Sequence, residues 1–328
     1  MRTSKAAATL AAATLLVPST PATAAPAAGP LTWSVSPSGP KGPNGRPALD
    51  YKLDPGATVT DHVAVTNHSG RPLTLRLYAG DAFTTPTGGF DLPGGETRPT
   101  GAGSWIKLGR DVVTLPSSSR VVVPITVTVP ENATPGDHAA GVVATPAEST
   151  RGGVTVEHRV GTRVHLRVTG PLRPELTLTD VRMDTAAPWN PFRLPSITAG
   201  FTVANTGNVR LSGEPSARAG GLFGLGSGNG AAPPLPEILP GGSLRTSVTI
   251  ADVPPLFRQR VTLTVTAGSV RAESHHTLWL IPWPQLALLA LVAAAVALRR
   301  HRRRRLTAAL AAAERRGHDL AMVQKGPT

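Results

Sequence analysis

Residues Leu278 to Leu298 read LWLIPWPQLALLALVAAAVAL, 21 residues without a charge, and RRHRRRR follows at once. As a helix rising about 1.5 Å per residue this run is roughly 31 Å long, close to the ~30 Å hydrocarbon core of a bilayer. Trp279 and Trp283 stand at its leading edge, where amphipathic rings favour the headgroup layer. Arg299, Arg300, Arg302, Arg303, Arg304 and Arg305 close the other end, and segments that basic stay in the cytoplasm. A buried core helix is rarely so long or flanked so asymmetrically. The run is read as a transmembrane helix over 278–298 with a basic cytoplasmic tail over 299–328.

The N-terminus matches that topology. Arg2 and Lys5 form a basic start, Ala6 to Val17 a short apolar stretch, and Ala22-Thr23-Ala24 a small-x-small cleavage pattern. Residues 1–24 are expected to be a signal peptide, cut after Ala24 because Pro26 disfavours the next bond. The expectation is a single-pass type I protein of the cell membrane, with its N-terminal part extracellular and its C-terminus cytoplasmic.

A net charge of +13 invites a nucleic-acid reading until the charge is located. Residues 299–328 carry +7 and the signal peptide +2, leaving +4 for some 250 exported residues. The basicity is therefore a topology signal that draws the tail to anionic lipid, and no nucleic-acid partner is expected. There are no cysteines. An exported chain without disulfides relies on hydrophobic cores of about 100 residues or more, and thiol catalysis and Cys-ligated metals are excluded. Abundant Ala, Arg, Gly and Pro with little Lys point to a GC-rich bacterial source.

From Leu31 to Pro146 short β-branched runs alternate with Gly, Pro, Asn and Ser clusters. In Thr58–Thr66, Val59, Val63 and Val65 suit a buried face and Asp61 and Thr66 suit solvent, in an imperfect register that admits a bulge. Asn67-His68-Ser69-Gly70 reads as a turn, since Asn and Gly tolerate positive φ. A second block, from about Val154 to Ser274, holds Val160–Val168, Leu176–Val181, Ile197–Ala204, Val248–Ile250 and Val261–Ala267. Its Phe201–Val209 mirrors Val63–Arg71: apolar strand, Asn-turn, next strand. The Gly-rich 219–236 segment is expected to be a mobile loop, and its Gly224–Gly228 lacks the Lys and strand-to-helix context of a phosphate loop. The fold class is all-β: two tandem immunoglobulin-like β-sandwich domains (29–147 and 154–275, joined by a polar linker 148–153) followed by one transmembrane α-helix.

Leu53-Asp54-Pro55-Gly56, the Val63 to Leu73 stretch, Trp105-Ile106, Val113-Thr114-Leu115-Pro116, Val123 to Pro130 and Ala133 to His138 stand in that order. This progression resembles the WxL-interacting protein family over roughly residues 31–147, and the chain looks like a divergent, actinobacterial-type member. The resemblance implies a peptidoglycan-binding first domain, a second domain that binds a secreted or surface protein, and a membrane anchor. Trp33 and Tyr78 are the candidate ligand-binding aromatics, able to stack on sugar faces, and Trp105 is expected to be a structural core residue.

Enzyme signals are absent: there is no His-Glu-x-x-His, no Gly-x-Ser-x-Gly and no Ser-x-x-Lys in a helical context. Asp81, Asp91 and Glu96 fit no standard Ca²⁺ loop spacing, and His275-His276 beside Glu273 reads as a solvated juxtamembrane linker rather than a metal pair. No cofactor, metal or catalytic residue is assigned. The expected function is a non-catalytic cell-surface binding or adaptor protein. The alternatives are a chaperone-like or assembly module for secreted subunits, and an extracellular sensing component.

Overall fold

In the computed structural model, residues 30–146, 150–151, 154–155, 158–221 and 226–324 are described. The signal peptide and most of the linker lie outside them. The chain is mostly β, with one long C-terminal helix.

The first part is two five-stranded sheets sharing one core. Trp33–Gly39, Thr58–Asn67, Arg120–Thr128 and Ile106–Leu108 lie in one sheet, with the short strand Gly42–Pro43 at its edge. The other runs in the order Leu49–Leu53, Val160–Val168, Gly136–Pro146, Leu73–Asp81, Val112–Leu115. Val63, Val65, Val123 and Ile125 from the first meet Leu75, Leu77, Val142 and Leu166 from the second, all buried. Thr58–Thr66 pairs with Arg120–Thr128 without interruption, so it holds no bulge. Asp61 does not face solvent freely: Arg46 grips both its oxygens at 2.8 and 3.0 Å, and the Tyr51 hydroxyl donates to it at 2.6 Å.

The strand Val160–Val168 corrects the expected boundary. It pairs antiparallel with Gly136–Pro146 and parallel with Leu49–Leu53, and so belongs to the first core rather than to the second block. Thr162, Val164, Leu166 and Val168 alternate inward, and the pairing turns that period-2 stripe toward the first core. Within the expected linker, Thr150–Arg151 forms a small hairpin with Val154–Thr155.

A second core lies between a three-stranded sheet (Leu176–Ala186, Ser196–Asn205, Ser243–Ile250) and a four-stranded one (Gly228–Ala231, Glu214–Gly220, Phe257–Ala267, Val270–Leu280). A bulge falls here, between Thr179 and Arg182, where Asp180 takes a φ of 52°. The described part of the Gly-rich segment is not a structureless loop. Gly228–Ala231 is a strand, and Leu235 and Ile238 are buried. A Cβ at Gly230 would stand 2.3 Å from the Thr249 carbonyl oxygen, so glycine here permits close approach of two backbones.

The mirrored Asn-turns are real, but their mechanism is not left-handed backbone. Asn67 is fully buried; its amide donates to the carbonyls of Arg71 and Pro116 at 2.8 and 2.9 Å, and its side-chain oxygen accepts from the Ser69 N–H at 2.9 Å. Asn205 does the same with the carbonyls of Val209 and Ile238, at 2.7 and 2.9 Å, and the Gly207 N–H at 3.1 Å. One buried side chain thus satisfies the backbone groups that each turn frees.

The C-terminal apolar run is divided. Leu278, Trp279 and Leu280 continue the Val270–Leu280 strand, paired with Gln259, Arg258 and Phe257. Pro282 cannot extend that ladder, and α1 begins at Trp283 and continues to Gln324. The expected span of 278–298 therefore loses its first residues to the sheet. The helical apolar part, Trp283–Leu298, is 16 residues or roughly 24 Å. The helix runs on through the arginine cluster, and Trp283–Ala313 remains long and apolar enough to cross a membrane, with none of it buried in the protein.

Asn67→Ala and Asn205→Ala should each lower unfolding stability by about 1–3 kcal/mol, since each strands buried carbonyls. Urea titration of the two variants checks this; a change within error at either site would reject the role given to it.

Candidate functional site

Three features of the first sheet pair and its junction with the second can bind. One is a groove around Trp105. Asp81, at the end of its strand, accepts the backbone N–H groups of Thr100, Gly101 and Gly103 at 2.8, 2.8 and 2.7 Å. That clamp fixes the turn Ala102–Trp105, and Gly103 is required because a Cβ there would stand 2.5 Å from the Gly80 carbonyl carbon. Trp105 leaves the turn half-buried, one side on the core and the other against His138, with ring centroids 4.8 Å apart. His138 is oriented by a 2.8 Å contact between Nε2 and the Thr134 carbonyl. The open groove is about 620 Å³, and Ser104, Lys107 and Asn132 line it. Lys107 and Asn132 have no side-chain partner among the described residues, which leaves an aromatic ledge beside uncommitted polar groups.

The second feature is the junction. Asp137 is 7% exposed at its side chain, and Arg167 holds both its oxygens at 2.6 and 2.7 Å. It also accepts the Arg210 N–H at 2.8 Å, while the Arg210 guanidinium reaches Asp50 and Glu237 at 3.2 Å each. Burial alone would raise the Asp137 pKa; the Arg167 hydrogen bonds, the Arg210 N–H and both positive charges outweigh it and hold the carboxyl below its ordinary value. Asn208 completes the joint, donating to the carbonyls of Pro135 and Pro171 and accepting the Arg173 N–H. Gly136, at φ 121°, passes so close that a Cβ would stand 2.2 Å from the Asn208 carbonyl oxygen. A second seam joins the Leu239 N–H to the Thr84 hydroxyl and the Arg245 N–H to the Pro86 carbonyl. Between these contacts lies a cleft of about 290 Å³ lined by Asp50, Tyr51, Asp137, His165, Arg167 and Arg210. His165 is 8% exposed, its Nδ1 has no hydrogen-bond partner among the described residues, and burial followed by the charge of Arg210 hold its pKa below the usual 6.5.

The third feature is an open edge. Val160–Val168 pairs on one side with Gly136–Ala144 over its whole length, but on the other Leu49–Leu53 covers only Val164–Val168. Among the described residues no strand pairs with Val160–Arg163 on that side.

The aromatics singled out from sequence are not brought together. Trp33 is half-buried on the first core, its indole N–H donating to the Ala144 carbonyl at 3.1 Å. Tyr78 is half-buried, and a Cβ at Gly95 would stand 3.0 Å from its ring. Trp105, expected in the core, reaches both the core and a groove. Trp279 and Trp283 are 69% and 64% exposed, at the end of the last strand and the start of α1. Arg299, Arg300, Arg302, Arg303, Arg304 and Arg305 lie exposed along α1. Asp81, Asp91 and Glu96 are committed to separate partners, namely backbone N–H groups, Arg159 and Arg76. His275 and His276 sit in a strand, where successive side chains point to opposite faces, so they cannot chelate together. The roles of His138, Asn208 and Arg210 were not read from sequence. Asn208 alone carries a local cue, the Asn-Thr-Gly-Asn turn.

No family model matches the chain, and no curated protein matches it. Among solved structures it is similar to the class 5 fimbriae chaperone CfaA, at 12% identity and a TM-score of 0.34, covering 76% of this chain and 100% of that one. A chaperone–tip adhesin complex of CFA/I fimbriae aligns at 12% identity and 0.35, covering 76% and 99%. The CupB2 chaperone of Pseudomonas aeruginosa aligns at 11% and 0.30, covering 71% and 99%. Likeness this distant carries no argument about function.

His165 gives a pH prediction. Above about 6.5 it is neutral folded and unfolded; as pH falls, the unfolded chain takes up a proton that the folded one resists, so stability falls. Unfolding free energy should therefore decline between about pH 7 and pH 5, and His165→Gln should flatten that segment. An unchanged slope in the variant would remove His165 as the cause.

Proposed function

We propose that this protein is a non-catalytic binding module, held on the outer side of a membrane by α1, that takes an extended segment of another exported polypeptide along the edge at Val160–Arg163. This is the assembly-module reading, and the half-covered edge carries it. Unpaired N–H and C=O groups on a strand edge are a template for an added strand, with affinity from main-chain hydrogen bonds and specificity from alternate side chains. Arg163, its guanidinium 4.8 Å above the Phe90 ring, adds one positive charge beside the edge, while Arg159 is already paired with Asp91. In this reading the two cores are two tandem sandwich domains, with the second as a rigid pedestal, since the Asp137–Asn208 joint and the Thr84 seam oppose hinging.

A second reading, a wall-glycan contact, is favoured by the Trp105 groove. Where Trp105 lines the groove, it offers a sugar an aromatic edge, with His138, Lys107 and Asn132 as polar partners beside it. It agrees with the peptidoglycan role that the family resemblance implies, but moves it from Trp33 and Tyr78 to Trp105.

A photoreactive phenylalanine analogue in place of Arg163 should capture one exported polypeptide in intact cells, and the same analogue in place of Arg98 should not. Adducts at neither position, or equally at both, would reject strand capture. For the second reading, the Lys107→Ala/Asn132→Ala double variant should sediment several-fold less with purified peptidoglycan sacculi at an unchanged melting temperature. Undiminished sedimentation would reject the groove.

A further inference from the structure

We infer that the second sheet pair is seated on the lipid bilayer through the loop Ala187–Pro195, which inserts aromatic side chains into the headgroup layer beside the root of α1. Trp189 and Phe192 are 84% and 85% exposed, and Leu194 is 43% exposed. Large side chains left so bare mark an interaction surface when they cluster. These do. The side-chain amide of Gln285, in the first turn of α1, donates to the Pro191 carbonyl at 3.0 Å, which ties the loop tip to the helix where it leaves the sheet. Phe257, Trp279 and Trp283, 51%, 69% and 64% exposed, lie where the final strand pair meets that helix, and Phe257 pairs with Leu280. Loop and strand end thus both meet the root of the helix that the membrane reading places in lipid, and the inference rests on that reading.

The loop is built to hold its shape. Pro188, Pro191 and Pro195 restrict φ. The Asn190 side chain accepts the Phe192 N–H at 2.9 Å, and the Asn190 carbonyl accepts the Arg193 N–H at 3.2 Å. The Val253 N–H bonds the Pro195 carbonyl at 2.9 Å, anchoring the loop to the second core. A preformed turn gives up little conformational entropy when it enters the interface. Its chemistry suits that place: Trp and Phe are interfacial residues, Arg193 lies between Phe192 and Leu194 within reach of lipid phosphate, and residues 187–195 contain no acid that would have to be dehydrated.

Because the chain has no cysteine, single labels can be placed without altering any native thiol. The full-length protein, carrying a nitroxide on Phe192→Cys, Leu291→Cys or Arg98→Cys, is reconstituted into phosphatidylethanolamine–phosphatidylglycerol vesicles. Collisions with dissolved oxygen and with a water-soluble nickel chelate are then compared. A label at 192 should favour oxygen, as the label at 291 within α1 should, while the label at 98 favours the chelate. A label at 192 that behaves like the one at 98, with 291 in lipid, overturns the seating alone. A label at 291 open to the chelate overturns the membrane reading of α1 and the seating with it.

Discussion

The architecture turns on one buried carboxylate. Asp137 stands where Gly136–Pro146 begins, at the meeting of the two sheet pairs, and it is bonded from both sides. Arg167 comes from the first core and the Arg210 N–H from the second segment, so neither part satisfies Asp137 alone. A buried charge that loses one partner is costly, typically about 3–5 kcal/mol for removal of one member of a buried pair. Arg167 and Arg210 are each only about a third or a quarter exposed, which limits the water available to replace a lost contact. The relative placement of the two cores is therefore set by electrostatics, and the close backbone approach at Gly136 by sterics.

That joint governs what the rest can do. His138 lines both the Trp105 groove and the cleft beneath the joint. The strand carrying it begins at Gly136, so the geometry of the groove and of the joint share one piece of backbone. Val160–Val168 is paired to the same strand, which places the open edge in this connected unit too. The features with binding potential are thus mechanically linked through Gly136–Pro146.

Much of the fold was legible in the sequence. Alternating β-branched runs mark most strands, and the repeat of apolar strand and Asn-turn correctly pairs Asn67 with Asn205. Period-2 patterning, however, says which residues face inward and not which core they face. Val160–Val168 reads equally well as the first strand of a second domain, and its pairing with Gly136–Pro146 and, across more than a hundred residues, with Leu49–Leu53 decides it. Hydropathy likewise cannot separate Leu278–Leu280 from the helix that follows, because these three residues are apolar whether they end an edge strand or begin a membrane segment. Pro282 was the available cue. The groove was legible least. Trp105 carries no mark that distinguishes a core indole from a half-exposed one, and the Asp81 clamp that presents it works through backbone N–H groups with no residue signature.

The link between Leu280 and Trp283 is two residues, Ile281 and Pro282. In the reading proposed above, a pull from the membrane enters the sheet at Leu280, and its component along the last strand loads the pairing with the neighbouring strand. That strand is paired with Phe257–Ala267 at eleven successive positions. Tension in this direction slides the two strands past one another, so their hydrogen bonds share the load and must fail together rather than open one at a time. The same short link leaves little slack, so a tilt of α1 becomes a tilt of the sheet. In that reading the footing of the protein is fastened through an eleven-residue strand pairing.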